Sequence, residues 1–318
     1  MHDPDLPKSF WKSKTFIVLA TFCATILLLS AYVFLLRTPP LIISEATTRI
    51  TGPLTADGQI DFFKALEERI YPPELATDDN GFRDFVRLFG DVGEMTTNPN
   101  REFYRLQKYE KLGLDPNVPP TLTHPLPPHE VFSNFYKAKG EDVPAKRPAM
   151  EDMWTLEQYP MLADWINEID VPMDAVAETI QKPVFFSPLL QSPAAVQSGT
   201  PINLMVILLP DIQFFRNIAR IFQARATYRI GNGDIDGAID DKLTIHRLSR
   251  LTRNGGSLVQ HLVGIAIEGV AVSIPVGANP EHPLTEAQLR RLLDGLDALP
   301  PRAPVHDAYE WERYVGLS

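Results

Sequence analysis

The chain has 318 residues, 44% of them hydrophobic, with 40 acidic against 30 basic side chains and a formal net charge of −10. That apolar fraction supports a packed core and excludes wholesale disorder. The acidic balance argues against a nucleic-acid partner, because phosphate contacts require a basic patch.

The first predicted element is a membrane anchor, Phe16 to Leu36. These 21 residues carry no formal charge. As a helix rising about 1.5 Å per residue they cover roughly 31 Å, the thickness of a hydrocarbon core. Lys8, Lys12 and Lys14 precede the run, and Arg37 is the only basic residue close behind it. That bias places residues 1–15 in the cytoplasm and the chain after Arg37 on the far side. Trp11 and Tyr32 suit the two interfaces. The rival is a cleaved signal peptide, whose apolar core is about 7–15 residues and ends at small residues. This run is longer and ends in Leu-Leu-Arg-Thr-Pro-Pro, so an uncleaved signal anchor is expected. The single cysteine, Cys23, lies inside it, which leaves the rest of the chain without thiol or disulfide chemistry. The first 37 residues hold four basic and two acidic groups, so the remainder carries −12.

Residues 37–114 are expected to form a juxtamembrane helical segment. Leu41 to Thr51 is rich in β-branched residues and fits either a short strand or an extended stalk. Helices are predicted over Ile60 to Ile70, Gly81 to Phe89 and Arg101 to Leu112. The second repeats apolar residues at Phe82, Phe85, Val86 and Phe89, one face of a helix, and Gly90 stops it. Residues 115–149 hold eight prolines and are predicted to be a connector without a long helix. His124, His129 and Glu130 lie in it, at spacings that match no common zinc pattern. Helix returns over Met150 to Ile169, and Pro172 is expected to open a separate helix, Met173 to Ile180. Leu204 to Leu209 is apolar but far too short to cross a membrane.

From Asp211 the punctuation is cleaner. Asp211 to Arg229 is one predicted helix, and Gly231 to Gly233 is a turn. Asp234 is the N-cap of Ile235 to Arg253. Ser257 caps Leu258 to Ile274, which Pro275 ends. Thr285 and Gln288 form a capping box for Glu286 to Leu299. Such short turns imply antiparallel neighbours. Residues 150–318 are therefore predicted to be one all-α domain. The stretch from His306 has the look of a helix that starts and stops, in a chain short at its C-terminus whose last helix lacks packing partners.

The segment RATYRIGNGDIDGAIDDKLTIHRLSRL resembles a tetratricopeptide unit, through Tyr228, the turn at Gly231 to Asp234, and the small Ala238 where two helices approach. The resemblance covers about one 34-residue period and implies paired helices that present a groove to peptides or partner proteins. A wider likeness spans most of residues 47 to 314. It rests on TRITGPLTADGQIDFFKALEERIYPPELATDDNGF, YPMLADWINEIDVPMDAVAETIQKPVFFSPL and the helical segment above. These blocks are similar to a family of N-terminally anchored proteins common in planctomycete bacteria. That likeness implies architecture and location, and carries over no catalytic residue and no cofactor.

Few residues suggest chemistry. Asn232 to Gly237 imitates a calcium loop, with Asp240 at position 9, but Leu243 stands where a bidentate glutamate belongs, so a solvated turn is expected. His261 and Glu268 lie seven apart on one face of an apolar helix. A buried glutamate requires a partner, and the expected polar network joins Glu268 to Arg225 or a nearby basic group, with His261 beside it. The functional alternative is a general acid–base pair formed by His261 and Glu268. Arg216, Arg220, Arg247, Arg250 and Arg253 fit a solvated charged face, with an anionic-peptide groove as the sharper alternative. Leu262 to Ala278 is apolar, but Glu268 and Pro275 make it a domain helix rather than a second span. The sequence holds no G-x-S-x-G, H-E-x-x-H, G-x-G-x-x-G or Walker A motif. The reading is a single-pass membrane protein whose all-α, tetratricopeptide-like extracytoplasmic domain binds a protein or peptide. Its lipid contact is through residues 16–36, and it has no metal, no cofactor and no assigned catalytic residue. The alternative is a tethered enzyme with its site around His261 and Glu268.

Overall fold

In the computed structural model the described residues are 49–70, 77–90, 99–123, 125–143, 151–198, 211–254 and 256–317, with a few isolated positions before them. The chain divides into two units, residues 1–51 and 52–318, and every helix named here belongs to the second. Of the expected anchor only residues 21, 23 and 25–27 are described, and they are helical. The rest of that stretch lies outside the described residues, as do residues 204–209, His124 and most of 41–51. Among the described residues no helix is long and apolar enough to cross a membrane.

The unit is all-α. It contains α1 (Phe62–Ile70), α2 (Gly81–Phe89), α3 (Arg101–Lys111), α4 (Pro128–Ala138), α5 (Pro160–Gln181), α6 (Pro193–Ser198), α7 (Asp211–Gly231), α8 (Ile235–Arg253), α9 (Leu258–Ser273), α10 (Glu286–Asp297) and α11 (Val305–Leu317). Among the described residues, pairing outside helices is limited to two isolated bridges, Leu54 with Ile60 and Asn80 with Val184.

Helix α8 is the hub, packing on α5, α7, α9 and α10. Its antiparallel junction with α7 is short because Gly233 turns at φ +83° and Asp234 then caps α8, its Oδ1 accepting from Gly237 N at 3.0 Å. Gly231 must lack a side chain, since a Cβ there would stand 2.1 Å from the Trp154 carbonyl oxygen. Trp154 in turn donates from Nε1 to Thr227 Oγ1 at 3.1 Å, which locks the entry to α5 onto α7. Ser257 with Gln260, and Thr285 with Gln288, close the expected caps of α9 and α10 as reciprocal capping boxes.

Four features differ from the sequence reading. First, α5 is one 22-residue helix that begins at Pro160, with Pro172 inside it. Proline there removes an amide donor and crowds the preceding turn. The apolar register nevertheless runs straight through, as Leu162, Ile166, Ile169, Met173, Val176 and Ile180 are all buried. Continuous burial of that seam outweighs the local backbone cost. Second, the proline-rich span is not all connector, because Pro128 takes the first position of the 11-residue α4, where a missing amide costs nothing. Phe132 buries that helix against the core. Third, residues 52–114 are not a segment apart. Phe82, Phe85 and Phe89 of α2 join Phe185, Phe214 and Phe215 in one aromatic cluster. Asn80 fastens it, its Oδ1 accepting from Phe82 N and Phe186 N and its Nδ2 donating to Phe186 O. Fourth, the last helix does have partners. Helix α11 packs on α1 and α9, with Ala308, Trp311 and Tyr314 buried.

Candidate functional site

Three features on the array of α5, α7, α8 and α9 carry charge or exposed apolar surface. The first is a cleft of about 590 Å³ between α5, α7, α8 and the end of α10. At its base Arg225 of α7 meets Asp241 of α8. Asp241 sits in the buried seam Ala238, Asp241, Ile245, Leu248, Thr252, where every other member is apolar or small. Arg225 Nη2 donates to Asp241 Oδ1 at 2.6 Å and its Nε lies 3.1 Å from both carboxylate oxygens. Its Nη1 reaches Asp170 Oδ1 and Asp174 Oδ1 on α5, each at 2.9 Å, and the Asp170 carbonyl at 3.1 Å. Arg229, one turn along α7, donates to Asp241 Oδ2 and Asp170 Oδ1 at 3.0 Å each. Three helices are thus joined through two guanidinium groups just beside Pro172.

The charges in this network follow from burial. Burial works against the charge of Arg225, but Asp241, Asp174 and Asp170 outweigh it and hold its pKa above the ordinary value. Burial pushes the Asp241 carboxyl up to about 6, with Arg225 and Arg229 pulling it down, so it is an anion at neutral pH. Each carboxylate at the base is already engaged by a guanidinium. Asp240, on the rim, binds Arg291 at 2.5 Å, and Arg247 caps the end of α5 by donating to the Ile180 and Gln181 carbonyls. The arrangement fastens helices together.

The second feature surrounds Glu268. The expected bridge from Glu268 to Arg225 does not form, because Arg225 faces α5 and α8 and is consumed there. Glu268 instead pairs with Arg253 of α8 and with Arg302 at 2.7 Å, while Arg250 stands 3.9 Å away. Burial raises its pKa, but the hydrogen bond from Arg302 and the charges of both arginines win, and Glu268 is held below the ordinary carboxylate value. His261 is buried on the same helix, and among the described residues no hydrogen bond or ion pair joins it to Glu268. An acid–base pair of His261 and Glu268 is therefore not assembled. The histidine that Glu268 does influence is His246 of α8, which sequence reasoning passed over. Its position among buried Thr244, Ile245 and Leu248 was the available signal.

His246 carries a pH prediction. Burial pushes its pKa down to about 4, helped by Lys242, Arg250 and Arg302 and opposed by Glu268. A histidine depressed in the folded state stabilises fully above its unfolded value of about 6.5, and that stability is lost as the pH falls towards 4. Discounted for the solvent reaching this shallow site, the loss is about 2 kcal/mol. Asp241 works with the opposite sign over the same window, so the informative quantity is a difference. Urea unfolding at about pH 7 and pH 4 should show His246→Gln losing about 2 kcal/mol less than wild type on acidification. Equal losses would mean that His246 is accessible to protons in the folded chain.

The third feature is the outer face of α9. Leu258, Leu262, Ile265, Gly269 and Val272 follow one another at spacings of four, three, four and three, and all are exposed. Val259 and Ala266 widen the stripe on one side, and Glu268 with Arg302 borders it on the other. Leu262 is 56% exposed and Val272 67%.

The calcium-like turn is also occupied by protein. Asp234 caps α8, and Asp236 and Asp240 both bind Arg291 of α10. His129 lies in α4, half-exposed, 4.0 Å from Glu130. Among the described residues no group of three potential metal ligands occurs. No protein family, curated protein or solved structure matches this chain.

Proposed function

We propose that this chain is a membrane-anchored, extracytoplasmic binding or scaffolding protein. Its helical domain acts in the manner of a tetratricopeptide-like array, holding a partner on the outer face of α9. The observation that carries this reading is the exposed seam from Leu258 to Val272. Its alternating four- and three-residue spacing is the pattern by which one helix seats another. Gly269 and Ala266 allow a second backbone to approach closely, and the seam itself carries no charge. An exposed apolar stripe along a 16-residue helix is unfavourable in water, which supports a partner that covers it. The occupant we assign is an amphipathic helix of another protein. The membrane anchor rests on the uncharged run from Phe16 to Leu36 and the lysines before it.

The test uses the full chain in native membranes, with a photo-crosslinking residue in place of Leu262. The expected product is an adduct to an amphipathic segment of a different protein, lost when Ile265→Asp is added while the melting temperature stays unchanged. An adduct to lipid only, an adduct to α9 of a second copy, or no adduct would each overturn the assignment. A C-terminal reporter accessible only from the cytosol would overturn the topology.

A further inference from the structure

We infer that the groove at the junction of α8 and α9 binds an oxyanion, a carboxylate or phosphoryl group carried on a small body. The groove has a volume of about 450 Å³ and is walled by Arg253, Gly256, Arg302, Pro301, Pro304 and Asp307. Three guanidinium groups, Arg250, Arg253 and Arg302, converge here on the single carboxylate of Glu268. Arginine cannot shed its proton, so against the carboxylates of Glu268 and Asp307 the three guanidinium groups leave one positive charge in excess. Asp307 offsets part of the charge; its carboxylate lies 3.1 Å from His306 Nε2, and among the described residues it has no bond to either groove arginine.

Arg253 is only 6% exposed, and its Nε, like that of Arg250, has no hydrogen-bond partner among the described residues; the Arg253 Nε has essentially no surface on the groove and lies against α9, 3.2 Å from where a Gly264 Cβ would stand. The field around the cluster is positive enough to be felt by its neighbours. Burial lowers the pKa of Arg250, and the charge of Arg302 lowers it further.

The two arginines in the groove divide the work. Arg253 is fixed, lying along α9 over Gly264, where a Cβ would stand 2.5 Å from the Arg253 side chain. Arg302 is 60% exposed on the connector between α10 and α11, free to turn a second face to a ligand while Glu268 holds the first. A planar guanidinium fork suits the paired oxygens of a carboxylate or phosphoryl group. Pro301, Ala303 and Pro304 supply an apolar wall for the ligand body.

The probes are inorganic phosphate and succinate, titrated into the full chain in detergent and followed by calorimetry and thermal melting, with chloride at matched ionic strength as the control. Saturable binding and a raised melting temperature are expected with one of the two probes and not with chloride; phosphate alone identifies a phosphoryl ligand, succinate alone a carboxylate. Arg302→Gln should weaken binding at least about tenfold, measured against the anion-free melt of the same variant. Glu268→Gln removes the competing carboxylate, so the anion should bind more tightly and stabilise that variant more than wild type. Absence of saturable binding by either probe, or unchanged affinity in Arg302→Gln, overturns the site. The deciding result is saturable binding by the wild type together with its loss in Arg302→Gln, since freeing the arginines in Glu268→Gln attracts an anion in either case.

Discussion

Replacing Asp241 with alanine is expected to destabilise the folded chain by about 3–5 kcal/mol, measured by urea unfolding at neutral pH. The size follows from what is left behind rather than from the strength of the lost pair. Asp241 is 1% exposed and Arg225 2%. Without the carboxylate, Arg225 keeps its charge in the interior, and Arg229 loses its buried carboxylate acceptor while keeping Asp170 and the Gly237 carbonyl. Asp170 and Asp174 still reach Arg225 from α5, but both are largely exposed and engage only its Nη1. Two comparisons make the expectation sharp. Asp236→Ala removes an exposed contact to Arg291 and should cost no more than about 1 kcal/mol. Arg225→Met combined with Asp241→Leu should recover most of the loss, because well-packed apolar groups of similar volume replace a buried ion pair at little cost. A small effect of Asp241→Ala would mean that water enters the base of the cleft and solvates Arg225.

The same network accounts for the proline in α5. A proline in a helix interior typically costs about 3 kcal/mol. Here the turn that contains it is held from outside, because Arg225 and Arg229 both grip Asp170 two residues before Pro172. The charge network therefore joins the two halves of α5 to α7 and α8, which places the α8–α9 hairpin relative to the rest of the unit. The outer face of α9 and the groove beside Arg253 both depend on that placement. The polar interior sets the position of the surfaces proposed to bind ligands.

Much of this architecture was legible in the sequence where local signals act alone. Asn80, Gly90, Asp234, Asn254 and Ser257 bound helices whose ends coincide with the predicted ones, since caps and stops are properties of a few adjacent residues. The continuity of α5 was legible too, had the seam from Leu162 to Ile180 been weighed against Pro172. The partners of Arg225 and Glu268 were not. Each had several oppositely charged candidates, and the choice depends on how α7, α8 and the 298–304 connector lie across one another. One signal did point inward: Asp241 interrupts a seam of otherwise apolar or small residues, and a charge in such a place calls for a buried partner. The exposed stripe on α9 was hidden for the opposite reason. Its helix is apolar nearly all round, so composition cannot tell the face that packs from the face that does not.

Phe82→Ala is expected to cost about 3–5 kcal/mol, the other large effect, and through packing rather than charge. Phe82 is fully buried and its ring lies 5.7 Å from Phe185, 6.1 Å from Phe215 and 6.2 Å from Phe85. Helix α2 has only nine residues, and of the five it buries three are the phenylalanines of this cluster. The cavity cannot close by moving the helix inward. Gly81 already brings its backbone so near α5 that a Cβ would stand 2.0 Å from the Thr179 carbonyl, and Asn80 holds the chain to residues 184–186 on the other side. A void that its walls cannot fill keeps its full cost, and the edge-to-face ring contacts are lost with it. Phe82→Leu retains much of the volume and should cost less than half as much. Hydrogen exchange should then report the damage locally, with amides of α2 and of residues 184–186 losing protection before those of α8. A loss of less than about 1 kcal/mol, or a loss of protection spread evenly over α8, would show that α2 is not held to the array by this ring.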